Sequence, residues 1–374
     1  MDPSKVHVGS WLVLVSLLVL ELLSSRGWNR SIWTSISSFP QQNETSSLPK
    51  DELKAALEGA SMENKTLVIT VVNKAYTKEG SLLDLFLQSF QLGEDTQFLR
   101  NHLLLVAVDQ TSFDRCNLQG LHCYKLMTDG VDFSGEKLYM SNDFIKMMWS
   151  RTLFLADVLR RGYNFIFTDM DVMWLRNPFE RLSHEGEDLQ ISCDVYNGQP
   201  SDWANPINTG FYFVASNNKT ITLFDTWYAA KNESEGMKEQ DVLGQLMREG
   251  VIERLDLRVR FLDTLYFGGF CSSGRDYGKV VTLHANCCRT IKAKIRDLRA
   301  LLNGWIKFKG QSNGTSTEQS NSTSTVRWPI HKACIRSWRI ELNSTSTLNQ
   351  TSTPSNQTST SSNQTVIHFN QTIV

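Results

Sequence analysis

The chain lacks a surplus of either charge: 38 Lys and Arg stand against 39 Asp and Glu in 374 residues. It also lacks a long basic run, so it offers no electrostatic footprint for a nucleic-acid partner. No internal repeat recurs along it. Zinc-type Cys spacing is missing too, which leaves no basis for a structural zinc site. Seven cysteines are an odd number, so at least one thiol is free or bonds outside the chain. Cys116 and Cys123 bracket a short loop and can pair; connectivity among Cys193, Cys271, Cys287, Cys288 and Cys334 stays open. An apolar fraction of 41% and 19 Phe exclude a wholly disordered chain, and the length suits one large domain or two small ones.

From Val6 to Leu23 the chain is almost entirely apolar, interrupted by His7 and Glu21. A run of that size meets the lower edge of a membrane-spanning helix, about 17–25 residues. No A-x-A cleavage site follows, although the small pair Ser24-Ser25 leaves cleavage open. Residues 1–24 therefore read as a cytoplasmic tip and signal anchor. Lys5 before the run and Arg26 and Arg30 after it do not fix its orientation. The N-x-S/T triplets do. Seven lie in a Ser/Thr/Asn-rich tail whose composition generates them unaided, but Asn29, Asn43, Asn64, Asn218 and Asn232 escape that objection. They place everything after residue 24 in a secretory lumen.

Residues 25–64 read as a polar stem and 65–309 as the folded domain. Residues 310–374 are too polar to offset their ordering entropy. The stretch VRWPIHKACIRSWRIEL within them carries aromatics and Cys334 suited to docking. Within 65–309, continuous apolar runs predict strands covered on both faces: Thr66–Val72, Leu103–Asp109, Phe165–Thr168, Leu189–Cys193 and Phe211–Ala215. Helical periodicity predicts helices over Leu82–Leu92, Asp143–Arg161, Ile221–Lys231 and Gln240–Glu249. Ser141 or Asn142 caps the second of these and Gly162 ends it. The alternation predicts an α/β domain with a mainly parallel central sheet, whose ligands sit at the carboxyl ends of the strands.

One such end carries TDMDVMW. In an extended backbone Asp169 and Asp171 project to one side. Two neighbouring carboxylates repel unless a cation or a proton intervenes. A hard divalent ion, Mn²⁺ or Mg²⁺, takes such oxygens and bridges them to a diphosphate. The pattern is short, and its position after FIFT is what gives it weight.

The stretch FIKMMWSRTLFLADVLRRGYNFIFTDMDVMWLRNPF, with VVNKAY, QISCD, RFLDTLYFGGFC and HANCC, resembles the plant nucleotide-diphospho-sugar transferases, glycosyltransferase family 77. The resemblance implies a GT-A (Rossmann-like) fold and a Golgi membrane protein with a single N-terminal anchor and a lumenal catalytic domain. It also implies a metal such as Mn²⁺, a UDP-sugar donor, retention of anomeric configuration, and transfer (a pentose above all) to a cell-wall polysaccharide or glycoprotein.

By the same resemblance Asp169 contacts metal and donor, Asp171 contacts the metal, and His284 is the third metal ligand. Asn73 and Asp109, each past a strand, hold the donor nucleotide; Asn73 is equally suited to a turn that bonds its own backbone. Asn208 and Gly210 cradle the donor sugar, where glycine lets the backbone approach closely. Gln240 and Asp241 lie near the reacting carbon, although this chain reads KEQD where a His-Asp-Gln-Asp form is expected. Lys146 and Arg151 are diphosphate candidates, but about 140° separates them on a helix, so one is expected to face solvent. Lys292 and Lys294 are alternatives. Strand-DMDV is also similar to the nucleophile loop of haloacid-dehalogenase-type phosphatases, which continue with Gly-Thr rather than Met173-Trp174. The non-enzyme alternative is an inactive glycan-binding or scaffolding member of the family.

Overall fold

A computed structural model describes residues 51–128, 130–137, 140–272, 274–312 and 326–338. The apolar run at 6–23 lies outside them; no helix among the described residues is long and apolar enough to cross a membrane.

The central sheet grows outward from β1 (Thr66–Val72). On one side β1 pairs in parallel with β2 (Leu103–Ala107), which pairs in parallel with β3 (His122–Lys125). On the other it pairs in parallel with β4 (Asn164–Thr168). A short β5 (Val172–Trp174) follows β4 in a different sheet. Beyond β4, β6 (Leu189–Cys193) and β7 (Ile207–Val214) enter antiparallel, and β8 (Val259–Leu262) closes the sheet parallel to β6. The order is β3-β2-β1-β4-β7-β6-β8. The α/β class and the mainly parallel sheet are as expected.

Both faces of this sheet are covered. Val68, Leu103 and Leu105 enter one core cluster, while Leu67, Ile69 and Leu104 enter another on the opposite face. The pleat sends alternate side chains to opposite faces, so two covered faces require an unbroken apolar run. The helices that cover them begin with α1 (Glu52–Ala60), α2 (Leu82–Leu92) and α3 (Gln110–Leu118). Next come α4 (Asn142–Arg160), α5 (Asn218–Ala229), α6 (Glu239–Arg248) and the short α7 (Val251–Arg254). Helix α1 falls within the span expected to be stem; Leu53, Leu57 and Ala60 are buried there. Ser141 caps α4 by accepting from the Phe144 N–H at 3.2 Å. Gly162, with φ +79°, takes the left-handed turn after α4 that a Cβ would disfavour.

A second, three-stranded sheet joins β5 to β10 (Thr282–His284) and β9 (Phe267–Gly269), in the order β5-β10-β9. It is followed by α8 (Ile291–Ser312). Residues 326–338, helical from 332, pack back onto this part through a Cys288–Cys334 disulfide, and Trp328 lies 4.6 Å from the Tyr277 ring. Cys116–Cys123 and Cys271–Cys287 are the other bridges, and Cys193 is free and buried.

Candidate metal and donor site

The motif Asp169-Met170-Asp171 occupies the step between the two sheets. Strand β4 ends at Thr168, and the chain turns rather than staying extended: the Val172 N–H donates to Asp169 O at 3.2 Å. Met170 packs into the core at 3% exposure and leaves the two carboxylates outside it. The shared direction expected from an extended backbone thus comes instead from a turn anchored at both ends. At one end the Asp169 N–H donates to Gly210 O at 2.7 Å; at the other the Ala285 N–H donates to Asp171 O at 3.1 Å.

The small sheet brings the third group. Pairing of β10 against β5 sets His284 opposite Val172, one residue past Asp171. His284 Nε2 lies 3.3 Å from Asp171 Oδ1 and 3.8 Å from Asp169 Oδ2. Among the described residues, Asp169, Asp171 and His284 can direct ligand atoms that all lie within 4.8 Å of one another. Two hard oxygens and an imidazole nitrogen suit a divalent ion of the Mn²⁺ or Mg²⁺ kind. Asp171 Oδ2 is buried without an aligned hydrogen bond, although the Lys294 ammonium lies 2.8 Å from it. The donor set itself, two carboxylates and an imidazole with ligand atoms within 4.8 Å of one another, passes the test for a divalent metal.

Charge balance explains how these groups share a buried space. Burial works against ionised Asp171, but Lys294 and His284 pull its carboxyl well below the ordinary range. Burial raises Asp169, and Arg151 and His284 only partly oppose it. Burial also disfavours the imidazolium of His284, yet the Asp171 charge outweighs this and raises it. Lys294 is likewise raised by Asp171 against its burial.

Glycine at 210 is required by packing. A Cβ there would run into the His284 ring and crowd Asn208 Oδ1. Asn208 accepts from the Gly210 N–H at 2.9 Å and donates to Asp194 Oδ1 at 2.8 Å. Next to it, Thr209 donates through its N–H to Gln240 Oε1 at 3.0 Å and through its hydroxyl to Glu239 Oε1 at 3.0 Å. Asn208, Gly210 and Gln240 therefore meet beside the acidic cluster, at the start of α6. Asp241 projects further out, with its side chain 45% exposed.

Other candidates sit elsewhere. Asn73 gives both amide hydrogens to backbone carbonyls, of Phe133 at 2.8 Å and Gly135 at 3.0 Å, and accepts from the Ala75 N–H. Its side chain holds a loop, and no N–H is left for a nucleotide. Asp109 caps α3 through Ser112 and accepts from the Lys74 N–H at 2.7 Å, which ties the ends of β1 and β2 together. Lys146 is exposed, and no ion pair of the acidic cluster involves it. Five residues of helix turn it away from the face that Arg151 occupies.

Arg151 is the cation that matters on α4. Only 4% exposed, it reaches Asp169 Oδ1 at 3.0 Å and Glu239 Oε1 at 2.6 Å. Lys294 is one of the two lysines offered as phosphate contacts, and Glu239 belongs to the KEQD segment whose first positions depart from the family form. Neither position announces in the sequence which acidic or basic partner it meets, Asp171 for Lys294 and Arg151 for Glu239.

The nucleotide-diphospho-sugar transferase family model matches residues 99–298, which contain the two aspartates, His284 and Lys294. An uncharacterized protein of Arabidopsis thaliana is 52% identical over 302 residues, covering 79% of this chain and 86% of its own. This chain belongs to the nucleotide-diphospho-sugar transferase family. A beta-arabinofuranosyltransferase of Arabidopsis thaliana is 29% identical to this family member over 185 residues, 44% of this chain and 33% of that protein. Mouse xyloside xylosyltransferase 1 superposes with a TM-score of 0.37 at 16% identity, over 59% of this chain and 98% of that one.

Proposed function

We propose that this transferase moves a sugar from a UDP-sugar to a glycan or glycoprotein acceptor, with retention of configuration and with Asp169, Asp171 and His284 holding a divalent ion. The observation that carries the reading is the meeting of those three groups at the end of β4, on a chain of this family. A bound Mn²⁺ or Mg²⁺ would supply charge stabilisation for the departing diphosphate.

The chain's own residues have separate tasks. Lys294 is placed to meet a phosphate oxygen when it leaves Asp171. Gly210, bare of a Cβ, leaves the His284 ring its place beside the two aspartates, and Asn208 fixes that strand. Arg151 holds Asp169 and Glu239 in register, so that Gln240 and Asp241 face the sugar carbon. In the reaction the bond between that carbon and the diphosphate oxygen breaks as an acceptor hydroxyl oxygen bonds to it from the same face. The hydroxyl proton passes to the departing diphosphate. Glu239 Oε1 pairs with Arg151 and accepts from the Thr209 hydroxyl, which keeps the start of α6 fixed beside the acidic cluster.

A pentose is the preferred sugar, and a Golgi type II placement with the domain in the lumen the preferred setting. Three disulfides suit an oxidising compartment. The test is saturation-transfer NMR of the full chain against UDP-pentoses and UDP-hexoses, with Mn²⁺ or with EDTA. Metal-dependent binding of one donor is expected. Folded protein that binds none of them with metal present would overturn the reading.

A further inference from the structure

The loop between β6 and β7, residues 194–206, stands opposite the outer side of α6, and a cleft of 590 Å³ opens between them. Asp194, Trp203, Gln240, Asp241, Met247 and Phe261 are among its lining residues. Trp203 also borders a second hollow of 340 Å³, on whose walls lie Glu185, Glu187, Arg258 and Arg260. Trp203 is thus common to both spaces. It is 36% exposed, and its ring meets the Phe261 ring edge-on at 5.7 Å.

The inner end of the cleft reaches the transfer site. Asp194 accepts from Asn208 at 2.8 Å and from Asn286 at 2.7 Å, and Asn286 lies two residues past His284. Gln240 accepts from Thr209, the neighbour of Gly210. The outer hollow is walled by a charged pair: Glu187 Oε1 lies 3.7 Å from an Arg260 guanidinium nitrogen, and the buried Glu187 Oε2 has no hydrogen-bond partner among the described residues.

We propose that these two spaces form one acceptor groove for a glycan chain of at least three sugar units. An inner unit lies beside Gln240 and Asp241, a middle unit against the Trp203 indole, and an outer unit against Glu187 and Arg258. Sugars present C–H faces and hydroxyl edges. An indole face carries negative charge density that takes the C–H face. Carboxylates accept from hydroxyls, and guanidinium groups donate to them. Both spaces fall within the range of about 300–1,000 Å³ typical of ligand sites.

A peptide acceptor that adds as a strand does not suit the groove. Strand β8 is the sheet edge on this side, but the Phe261 N–H already donates to Pro200 O at 2.7 Å, so an extended peptide cannot add along it as a strand. The assignment of these spaces to an acceptor rests on the transfer reading, whereas binding in the groove does not.

The test is ¹⁹F NMR of the full chain labelled with fluorotryptophan, in which the Trp203 signal is identified by its loss in Trp203→Phe. Probes are plant cell-wall oligosaccharides pooled by size, from one unit to six, and a tetrapeptide of hydroxyproline. The Trp203 signal is expected to move with the pools of three units and longer, and not with single sugars. A Trp203→Ala chain is expected to raise the KM for those pools at least tenfold. A Trp203 signal that no pool moves, or that only the peptide moves, overturns the groove. Metal-dependent UDP-sugar binding, read separately on the same wild-type chain, decides the transfer reading independently.

Discussion

Arg151 joins Glu239 to Asp169: one guanidinium nitrogen lies 2.6 Å from Glu239 Oε1 and another 3.0 Å from Asp169 Oδ1. Arg151 comes from α4, Glu239 opens α6, and Asp169 ends β4, so a single side chain ties the metal motif to the segment beside the sugar carbon. The aromatic ring of Phe167 lies 4.4 Å below the guanidinium.

Removing that cation leaves two acidic groups with the charge that joined them gone; among the described residues the Glu239 carboxylate keeps only the Thr209 hydroxyl and that of Asp169 only His284 at 3.8 Å. Breaking a buried pair from one side costs about 3–5 kcal/mol. Arg151→Met is expected to lose stability on that scale in urea unfolding, and Arg151→Lys to lose less, because a point charge keeps one contact where the fork made two. An Arg151→Met chain as stable as the wild type would show that the pair contributes nothing.

Gly210 supports His284 by absence. In Gly210→Ala the added methyl meets the imidazole, and the ring must turn away from Asp169 and Asp171. Mn²⁺ affinity measured by titration calorimetry is expected to fall at least tenfold, with far-ultraviolet circular dichroism unchanged. Wild-type affinity in that variant would mean that His284 is not a ligand.

Lys294 competes with a metal for Asp171, since its ammonium lies 2.8 Å from Oδ2. Lys294→Met removes both the competitor and a repelling charge. The Mn²⁺ dissociation constant is expected to drop about tenfold, equivalent to about 1.4 kcal/mol. At the same time UDP binding weakens, because a phosphate contact has gone. Unchanged or weaker metal binding contradicts the placement of Lys294.

Cys193 ends β6 within the core, 4% exposed, and burial pushes its thiol up to about 12. The unfolded thiol ionises near pH 8.5. Stability from keeping it protonated is full below about pH 8.5 and is lost as pH rises toward 12. At pH 8, iodoacetamide is expected to label Cys193 only after unfolding, as read by mass spectrometry; rapid labelling of the native chain would contradict this burial.

What the sequence made legible follows from which signals are local. Strand β1 and helix α2 match their expected limits, because an unbroken apolar run and a 3.6-residue period are written in adjacent residues. Strands β5, β9 and β10 escaped because each is three residues long, too short to carry a period. Yet that small sheet is what delivers His284. The aspartate pair was readable as a motif and His284 only through the family resemblance, whereas Arg151–Glu239 joins positions 88 apart, and no local pattern marks such a partner. Asn73 was equally suited to a ligand contact and to a turn; its Oδ1 accepts from the Ala75 N–H in that turn, and Phe133 and Gly135 take its amide hydrogens.

The most direct test of the account is donor binding by Asp171→Asn beside the wild type, with Mn²⁺ or EDTA, after circular dichroism has established that both are folded. The account predicts that wild-type protein binds a UDP-sugar only with metal and that Asp171→Asn does not bind it in either condition. Equal donor binding by the wild type in EDTA, or metal-dependent binding retained by Asp171→Asn, would contradict it.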